Sequence, residues 1–165
     1  MSDLTKKSNA NNKIKWEEPQ ENAYQYLKQA ITSKPILQLP DLEKQFVLQT
    51  DASNIGLGAS LMQDFNGKLC PIAFASRKLL PREQKYATIE KECLAIVWAI
   101  KKFALYLYGR EFILQTDHNS LQFLDSAKFD CPRVMRWVLF LQTYAFKVHY
   151  IKGSENGADF LSRVS

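Results

Sequence analysis

The sequence predicts an α/β domain in which helices cover a mixed β-sheet, and two observations point to this class. Three strand-like segments follow one another closely between residues 46 and 76, which indicates an antiparallel meander. Helical and strand-like segments then alternate towards the C-terminus, which is typical of parallel strand pairing. The chain has 165 residues, of which 46% are hydrophobic and 24% charged, and this suits one domain with its own core.

The first elements follow from apolar spacing and turn residues. Residues 1–15 are polar and rich in Asn, Ser and Lys, so we interpret them as a flexible lead-in to an ordered domain over 16–165. Within that domain, a helix and connector are expected over 16–45 and the core over 46–165. Apolar residues that recur every four positions predict the helix: Ala23, Leu27 and Ile31, with Pro35 as its end.

The core begins with the three strands of the meander. They are predicted over 46–52, 55–63 and 69–76. The Asn66-Gly67 pair between the second and the third favours a tight hairpin turn.

One long helix is predicted next, over 83–108, and Gly109 ends it. Its apolar stripe has the 3–4 spacing of a buried helix face: Ile89, Cys93, Ile96, Val97, Ile100, Phe103 and Leu107. The remaining predicted elements are a strand over 111–116, helices over 119–125 and 133–143, a strand over 144–151 and a last helix over 158–163.

The net charge of +5 is concentrated in one segment. Residues 76–110 contain eight basic and three acidic residues, so the rest of the chain is neutral. Such a segment could contact a phosphate backbone, although a solvated helix face is the simpler interpretation.

Other features exclude several classes of protein. The three cysteines form no C-x-x-C pair, which argues against a disulfide scaffold or a cysteine zinc site. No apolar run reaches the ~20 residues of a membrane span, and residues 1–15 do not form a signal peptide. We therefore expect an intracellular protein that does not enter a membrane.

Four carboxylates stand where a simple core would not place them. Glu92 lies on the apolar stripe of the long helix, whereas Glu90 is expected on its solvent side. FVLQTD (46–51) and FILQTD (112–117) differ at one position, so Asp51 and Asp117 would emerge at the same sheet edge if these strands are parallel neighbours. Asp159 lies near the start of the last helix.

Each of these acids has an ordinary explanation when taken alone, as a boundary residue, a turn residue or a helix cap. Together, without His or Cys partners, they suit Mg²⁺ or Mn²⁺. Two such ions about 4 Å apart would stabilise the attacking and leaving oxygens in phosphodiester cleavage.

Longer stretches carry a specific resemblance. They are FVLQTDASNIGLGASLMQ at 46–63, PIAFASRKL at 71–79, KYATIEKECLAIVWAIKKFALYLYG at 85–109, FILQTDHNSLQFL at 112–124, and RWVLFLQTYAFKVHYIKG with ADFLSR between 136 and 163. This combination resembles the ribonuclease H domain of reverse transcriptases from gypsy-type LTR retrotransposons. Residues 2–7 resemble the junction with the polymerase part.

The resemblance implies a ribonuclease H-like fold with a five-stranded mixed sheet. It implies hydrolysis of the RNA strand of RNA–DNA hybrids with two Mg²⁺ ions, or Mn²⁺, held by four acids: Asp51, Glu92, Asp117 and Asp159. Expected substrate contacts near the site are Ser53, Asn54, Thr88 and Asn119. Expected phosphate contacts are Arg77, Lys78, Lys85 and Lys91. The expected partners are the hybrid and the polymerase portion of the same polyprotein, and the isolated domain is expected to be a monomer.

The sequence departs from the wider family pattern in two places. The loop over 152–157 lacks the histidine that many bacterial relatives carry, which predicts slower turnover. The common N-x-x-A-D spacing is N-x-A-D here, from Asn156 to Asp159. Two alternative functions remain open: a weak or inactive nucleic-acid-binding connection domain, and a domesticated protein-interaction module.

Overall fold

The computed structural model describes residues 17–32, 37–117 and 132–163. The chain divides into two compact units, residues 1–36 and 37–165. The first contains helix α1 (Glu18–Thr32), as the apolar spacing predicts. Pro19 lies in its first turn together with Glu18 and Glu21, whose charges favour the helix N-terminus. Residues 1–15, Pro35 and the helix expected over 119–125 lie outside the described residues.

The second unit contains a five-stranded sheet in the order β3-β2-β1-β4-β5. Its strands are β1 (Phe46–Ala52), β2 (Gly56–Phe65), β3 (Lys68–Lys78), β4 (Phe112–Thr116) and β5 (Phe146–Tyr150). The first three pair antiparallel, whereas β4 pairs parallel with both β1 and β5. The predicted meander and the predicted mixed sheet are therefore confirmed.

The turn between β2 and β3 has the conformation that its sequence predicts. Asn66 and Gly67 both have positive φ, +58° and +81°, as the tight turns that match strand twist require. The Gly67 N–H donates to Asp64 Oδ1 at 2.7 Å, which closes the turn.

The prediction of a single long helix over 83–108 is wrong, because the chain forms three shorter helices between β3 and β4. These are α2 (Pro81–Gln84), α3 (Thr88–Lys102) and α4 (Ala104–Leu107). Side chains provide the backbone with other partners at the first break, where Glu83 accepts from the Leu80 N–H and Glu90 from the Ala87 N–H. At the second break Phe103, with φ −103° and ψ 20°, leaves the helical conformation while staying buried in the core.

Among the described residues, two further helices follow, α5 (Pro132–Leu141) and α6 (Gly157–Arg163), with a 3₁₀ turn at Gly153–Glu155 before α6. No helix within 17–32, 37–117 or 132–163 is long and apolar enough to span a membrane. The main core joins α3, the sheet and α5, through buried residues that include Leu48, Ile96, Ile100, Leu114 and Val134. This packing fixes α3, and with it Glu92, against the strands.

Candidate active site

Two aspartates meet at one edge of the sheet because of the strand register. Strands β1 and β4 are parallel, and Gln49 pairs with Gln115. Asp51 and Asp117 each lie two residues further along, so they emerge side by side, as the repeated motif predicts. Asp51 is buried and Asp117 is half-buried.

Helix α3 brings a third carboxylate to the same place. Glu92 is only 3% exposed, in line with its position on the apolar stripe. One carboxylate oxygen from each of Asp51, Glu92 and Asp117 lies within 4.8 Å of those of the other two. We call these three residues the carboxylate triad.

The sequence predicts Glu90 on the solvent side of the helix, but the structure does not leave it free there. It is half-buried, its Oε2 accepts from the Ala87 N–H at 3.1 Å, and its Oε1 forms an ion pair with Arg133 of α5. Arg133 also stacks on the ring of Tyr86, 3.9 Å from its centroid. Glu90 therefore caps the N-terminus of α3 and joins this helix to α5, whereas Glu92 belongs to the triad.

The triad is electrostatically unfavourable without a cation. Burial, reinforced by the carboxylates of Asp51 and Asp117, raises the pKa of Glu92 from its ordinary 4.5 to about 8, against a hydrogen bond with the Ala52 backbone. Burial is also the main cause that raises the pKa of Asp51, against a hydrogen bond from Ser162. Oxygen donors that repel one another in this way fit a hard divalent cation such as Mg²⁺ or Mn²⁺.

The fourth acid occupies a different part of the site. Asp159 lies in the first turn of α6 and lines the same cleft as the triad. Its Oδ1 accepts from Arg163 at 2.6 Å, one helical turn further on. The structure therefore brings Asp159 to the cleft, but in an ion pair and outside the 4.8 Å group.

The cleft has a volume of about 520 Å³. Besides the four acids, it is lined by Ala52, Ser53, Asn54, Ile55, Thr88, Lys91 and Arg163. Three of the expected substrate contacts are thus present at its wall. The fourth, Asn119, lies outside the described residues.

These three side chains differ in how free they are to bind a substrate. The Ser53 hydroxyl donates to the Ser162 carbonyl at 2.7 Å and accepts from the Gly56 N–H at 3.0 Å, so it holds the loop in shape. Asn54 Oδ1 accepts from Lys91 Nζ at 3.0 Å. Thr88 is exposed at the start of α3.

The expected phosphate contacts divide in a similar way. Arg77 forms a two-bond ion pair with Glu83, at 2.6 and 3.1 Å, and stacks on Trp98. Lys91 is buried in the cleft wall beside Glu92. Lys78 and Lys85 are exposed, and these two are the members of the set that can reach an external phosphate without losing an internal bond.

Sequence reasoning missed three residues of this region: Gln49, Asn156 and Arg163. Arg163 pairs with Asp159, and Asn156 donates through Nδ2 to the Thr50 carbonyl at 3.0 Å. Gln49 donates to Gln115 at 2.8 Å. The signal for the glutamines was present, because Gln precedes Thr-Asp in both copies of the repeated motif.

Comparison with known proteins decides the family. The family described as the RNase H-like domain found in reverse transcriptase matches residues 41–144. The chain belongs to this family. The matched range includes the whole carboxylate triad, with Asp51 on β1, Glu92 on α3 and Asp117 just after β4.

Relatives of this RNase H-like domain are parts of much longer proteins. It is 52% identical over 143 residues to the retrovirus-related Pol polyprotein from transposon 297 of Drosophila melanogaster, which covers 86% of this chain and 13% of that protein. It is 43% identical over 153 residues to the corresponding polyprotein from transposon gypsy of the same species, covering 91% and 14%. The chain thus spans only 13–14% of the length of these relatives. The match to transposon gypsy agrees with the gypsy-type resemblance.

A solved structure shares the fold. The foamy viral protease-reverse transcriptase in complex with RNA/DNA hybrid matches with a TM-score of 0.61 and 21% identity, over 85% of this chain and 20% of that chain. At this identity the likeness shows the fold of the RNase H-like domain and does not by itself assign its reaction.

Proposed function

We propose that this RNase H-like domain hydrolyses the RNA strand of RNA–DNA hybrids. The observation that carries the proposal is the carboxylate triad, whose oxygens lie within 4.8 Å of one another in an open cleft. Bringing three acids together, two of them buried, costs stability, which is typical of a functional site. A solved structure with the same fold, the foamy viral protease-reverse transcriptase in complex with RNA/DNA hybrid, supports this choice of substrate.

The carboxylate triad fits a divalent ion, and we propose that the site as a whole holds two. We propose that Asp51, Glu92 and Asp117 hold Mg²⁺, or Mn²⁺ in its place, and that Asp159 completes the second site. When bound, the ions supply an activated water and neutralise the charge of the reacting phosphate. The water oxygen bonds to phosphorus and the bond to the 3′-oxygen breaks, which leaves 3′-hydroxyl and 5′-phosphate ends.

The chain's own groups then have separate roles. Asn54 and Thr88 at the cleft wall are placed to contact 2′-hydroxyls, which distinguish RNA from DNA. Exposed Lys78 and Lys85 are placed to bind backbone phosphates. Arg163 holds Asp159 through their ion pair until that carboxylate is needed for an ion.

Cleavage of end-labelled RNA in an RNA–DNA hybrid with Mg²⁺ tests the proposal. We expect Asp51→Asn to lose nearly all activity, because one ligand oxygen becomes an amide, and we expect a chelator to stop the wild-type protein. Asp64→Asn is the matched control, since Asp64 is exposed near the end of β2, beside the β2–β3 turn. The control should cleave at the wild-type rate.

The same assay, together with a measurement of hybrid binding, distinguishes the two alternative functions. If the wild type and Asp51→Asn are equally inactive while both bind the hybrid, the domain is a connection-type binding module. If neither binds the hybrid, a protein-interaction module is favoured. We further propose that the domain acts as a monomer within an intracellular polyprotein, whose polymerase portion supplies much of the grip on the hybrid.

A further inference from the structure

The repeated Leu-Gln-Thr-Asp motif has a structural consequence that the proposed reaction does not use. Gln49 on β1 and Gln115 on β4 are register partners, each two residues before an aspartate of the triad. Gln49 Nε2 donates to Gln115 Oε1 at 2.8 Å. Side chains two residues apart share one face of a strand, so this bond joins the strands on the face that carries Asp51 and Asp117.

Gln49 is bonded to two further elements. Its Oε1 accepts from Ser60 Oγ on β2 at 3.1 Å and from the Gly157 N–H at 3.2 Å. Gly157 is the first residue of α6, and Asp159 lies two residues later. One buried amide, 5% exposed, therefore ties three strands to the helix that carries the fourth acid.

The neighbouring Asn156 strengthens the same junction. Its Nδ2 donates to the Thr50 carbonyl at 3.0 Å, and its Oδ1 accepts from the Ala158 N–H at 3.1 Å. The carbonyl of Thr50, the residue after Gln49, is thus bonded to the residue that directly precedes α6. These side-chain bonds contribute to the position of Asp159 relative to Asp51, because no β-ladder connects a strand to a helix.

We propose that Gln49 is a positioning residue of the carboxylate site, which sets the spacing of Asp51 and Asp117 and the seat of Asp159. Gln49 is not among the cleft-lining residues, so it acts through the acids rather than on the substrate. Without its amide, Ser60, Gln115 and Gly157 would each lose a hydrogen bond, and the elements would shift to recover it. A metal site tolerates ligand displacements of only about 0.5 Å. This inference rests on the proposed function, since it concerns the same metal site.

The test is Mn²⁺ binding to the whole 165-residue chain in the absence of nucleic acid, measured by electron paramagnetic resonance. We expect Gln49→Met to weaken binding by about 10–100-fold, the usual loss when a group that orients metal ligands is removed. Gln115→Met removes only the side-chain bond between strands β1 and β4, and we expect a smaller loss of Mn²⁺ affinity. Gln115 is half-buried, so this variant remains available if Gln49→Met does not fold.

Gln63→Met is the matched control. Gln63 is a fully buried glutamine on β2 with three hydrogen bonds, to the backbone of Asp41 and Lys44, and it pairs with Phe46 at the other end of β1. Its loss should lower the melting temperature as Gln49→Met does, but leave Mn²⁺ affinity unchanged. A purely structural role for Gln49 would make the two variants alike in both measurements.

The outcomes separate this inference from the proposed function. If the wild type binds Mn²⁺ and cleaves the hybrid, but Gln49→Met and Gln115→Met bind Mn²⁺ within twofold of it, only the positioning role is overturned. If the wild type binds no Mn²⁺ and cleaves nothing, the proposed function fails and the positioning role fails with it.

Discussion

Ionised Glu92 lowers the stability of the metal-free fold, because it is buried beside two other carboxylates. With a pKa of about 8 in the folded chain against an ordinary 4.5, the carboxyl stays protonated in the native state where the unfolded chain has ionised. Its contribution to stability is present in full below pH 4.5 and is lost as the pH rises to about 8. Without divalent cations, the protein should therefore weaken across this range.

Glu92→Gln removes this dependence, because the amide has nearly the same shape and cannot ionise. Thermal unfolding of the metal-free protein should show the variant equal to the wild type near pH 4.5 and more stable at pH 8.5. At this chain length each kcal/mol shifts the melting temperature by about 2–4 °C. Added Mg²⁺ should raise the melting temperature of the wild type only.

Glu111→Gln provides the comparison for that experiment. Glu111 is exposed and forms an ion pair with Lys147, so its loss should change stability by no more than about 0.5 kcal/mol at either pH. A Glu92→Gln protein that is no more stable than the wild type at pH 8.5 would show that the site does not strain the metal-free fold.

Individual acids were predictable from sequence, whereas their supports were not. Glu92 violates an apolar stripe and Asp51 and Asp117 end two matching strands, so local pattern was enough to identify them. The bond from Gly157 to Gln49 joins residues 108 positions apart, and that from Arg133 to Glu90 spans 43. No periodicity in either segment contains information about its partner.

At the scale of elements, the backbone of α6 approaches the sheet very closely at one glycine, Gly58 on β2. A Cβ added at Gly58 on β2 would lie 2.3 Å from the Ala158 carbonyl oxygen and 2.6 Å from the Ser162 nitrogen. Both are backbone atoms of α6, so no side-chain rotation relieves the contact. Because Gly58 pairs with Asp51, this close approach also sets how near α6 comes to the triad.

Gly58→Ala should therefore push α6 outward and separate Asp159 from the triad. We expect a destabilisation of about 1–3 kcal/mol and a loss of hybrid cleavage that persists at temperatures where the protein is fully folded. Gly67→Ala is the control, because it strains a turn with positive φ but its Cβ meets no atom within 4 Å. If both variants cleave normally once folded, the seat of α6 does not determine activity.

The three helices between β3 and β4 show where element prediction failed. Apolar spacing correctly identified the buried face from Cys93 to Leu107, because packing on the sheet imposes it. It could not detect the breaks, since these depend on Glu83 and Glu90 turning back to bond their own backbone and on Phe103 leaving the helix while staying in the core.

At the scale of the molecule, only part of the basic segment over 76–110 lies near the proposed cleft. Lys78 directly precedes Leu79, whose N–H donates to the Ile55 carbonyl of the cleft wall, and Lys85 lies three residues before Thr88. Lys102 belongs to the same basic segment but lies ten residues beyond Glu92, about 15 Å along the helix axis. The structure therefore divides one basic segment into a part beside the cleft and a part distant from it.

Salt dependence of hybrid binding tests this division. Binding of a labelled RNA–DNA hybrid to Asp51→Asn protein, which should not cleave it, can be followed by fluorescence anisotropy between 50 and 200 mM KCl. We expect Lys78→Ala and Lys85→Ala, added singly, each to reduce the slope of log affinity against log salt by about one, because each removes one phosphate contact. Lys102 is exposed in the same segment, and Lys102→Ala should leave the slope unchanged. If all three lysine variants show the same slope as Asp51→Asn alone, the basic segment is a solvated helix face. Other surfaces would then have to bind the hybrid.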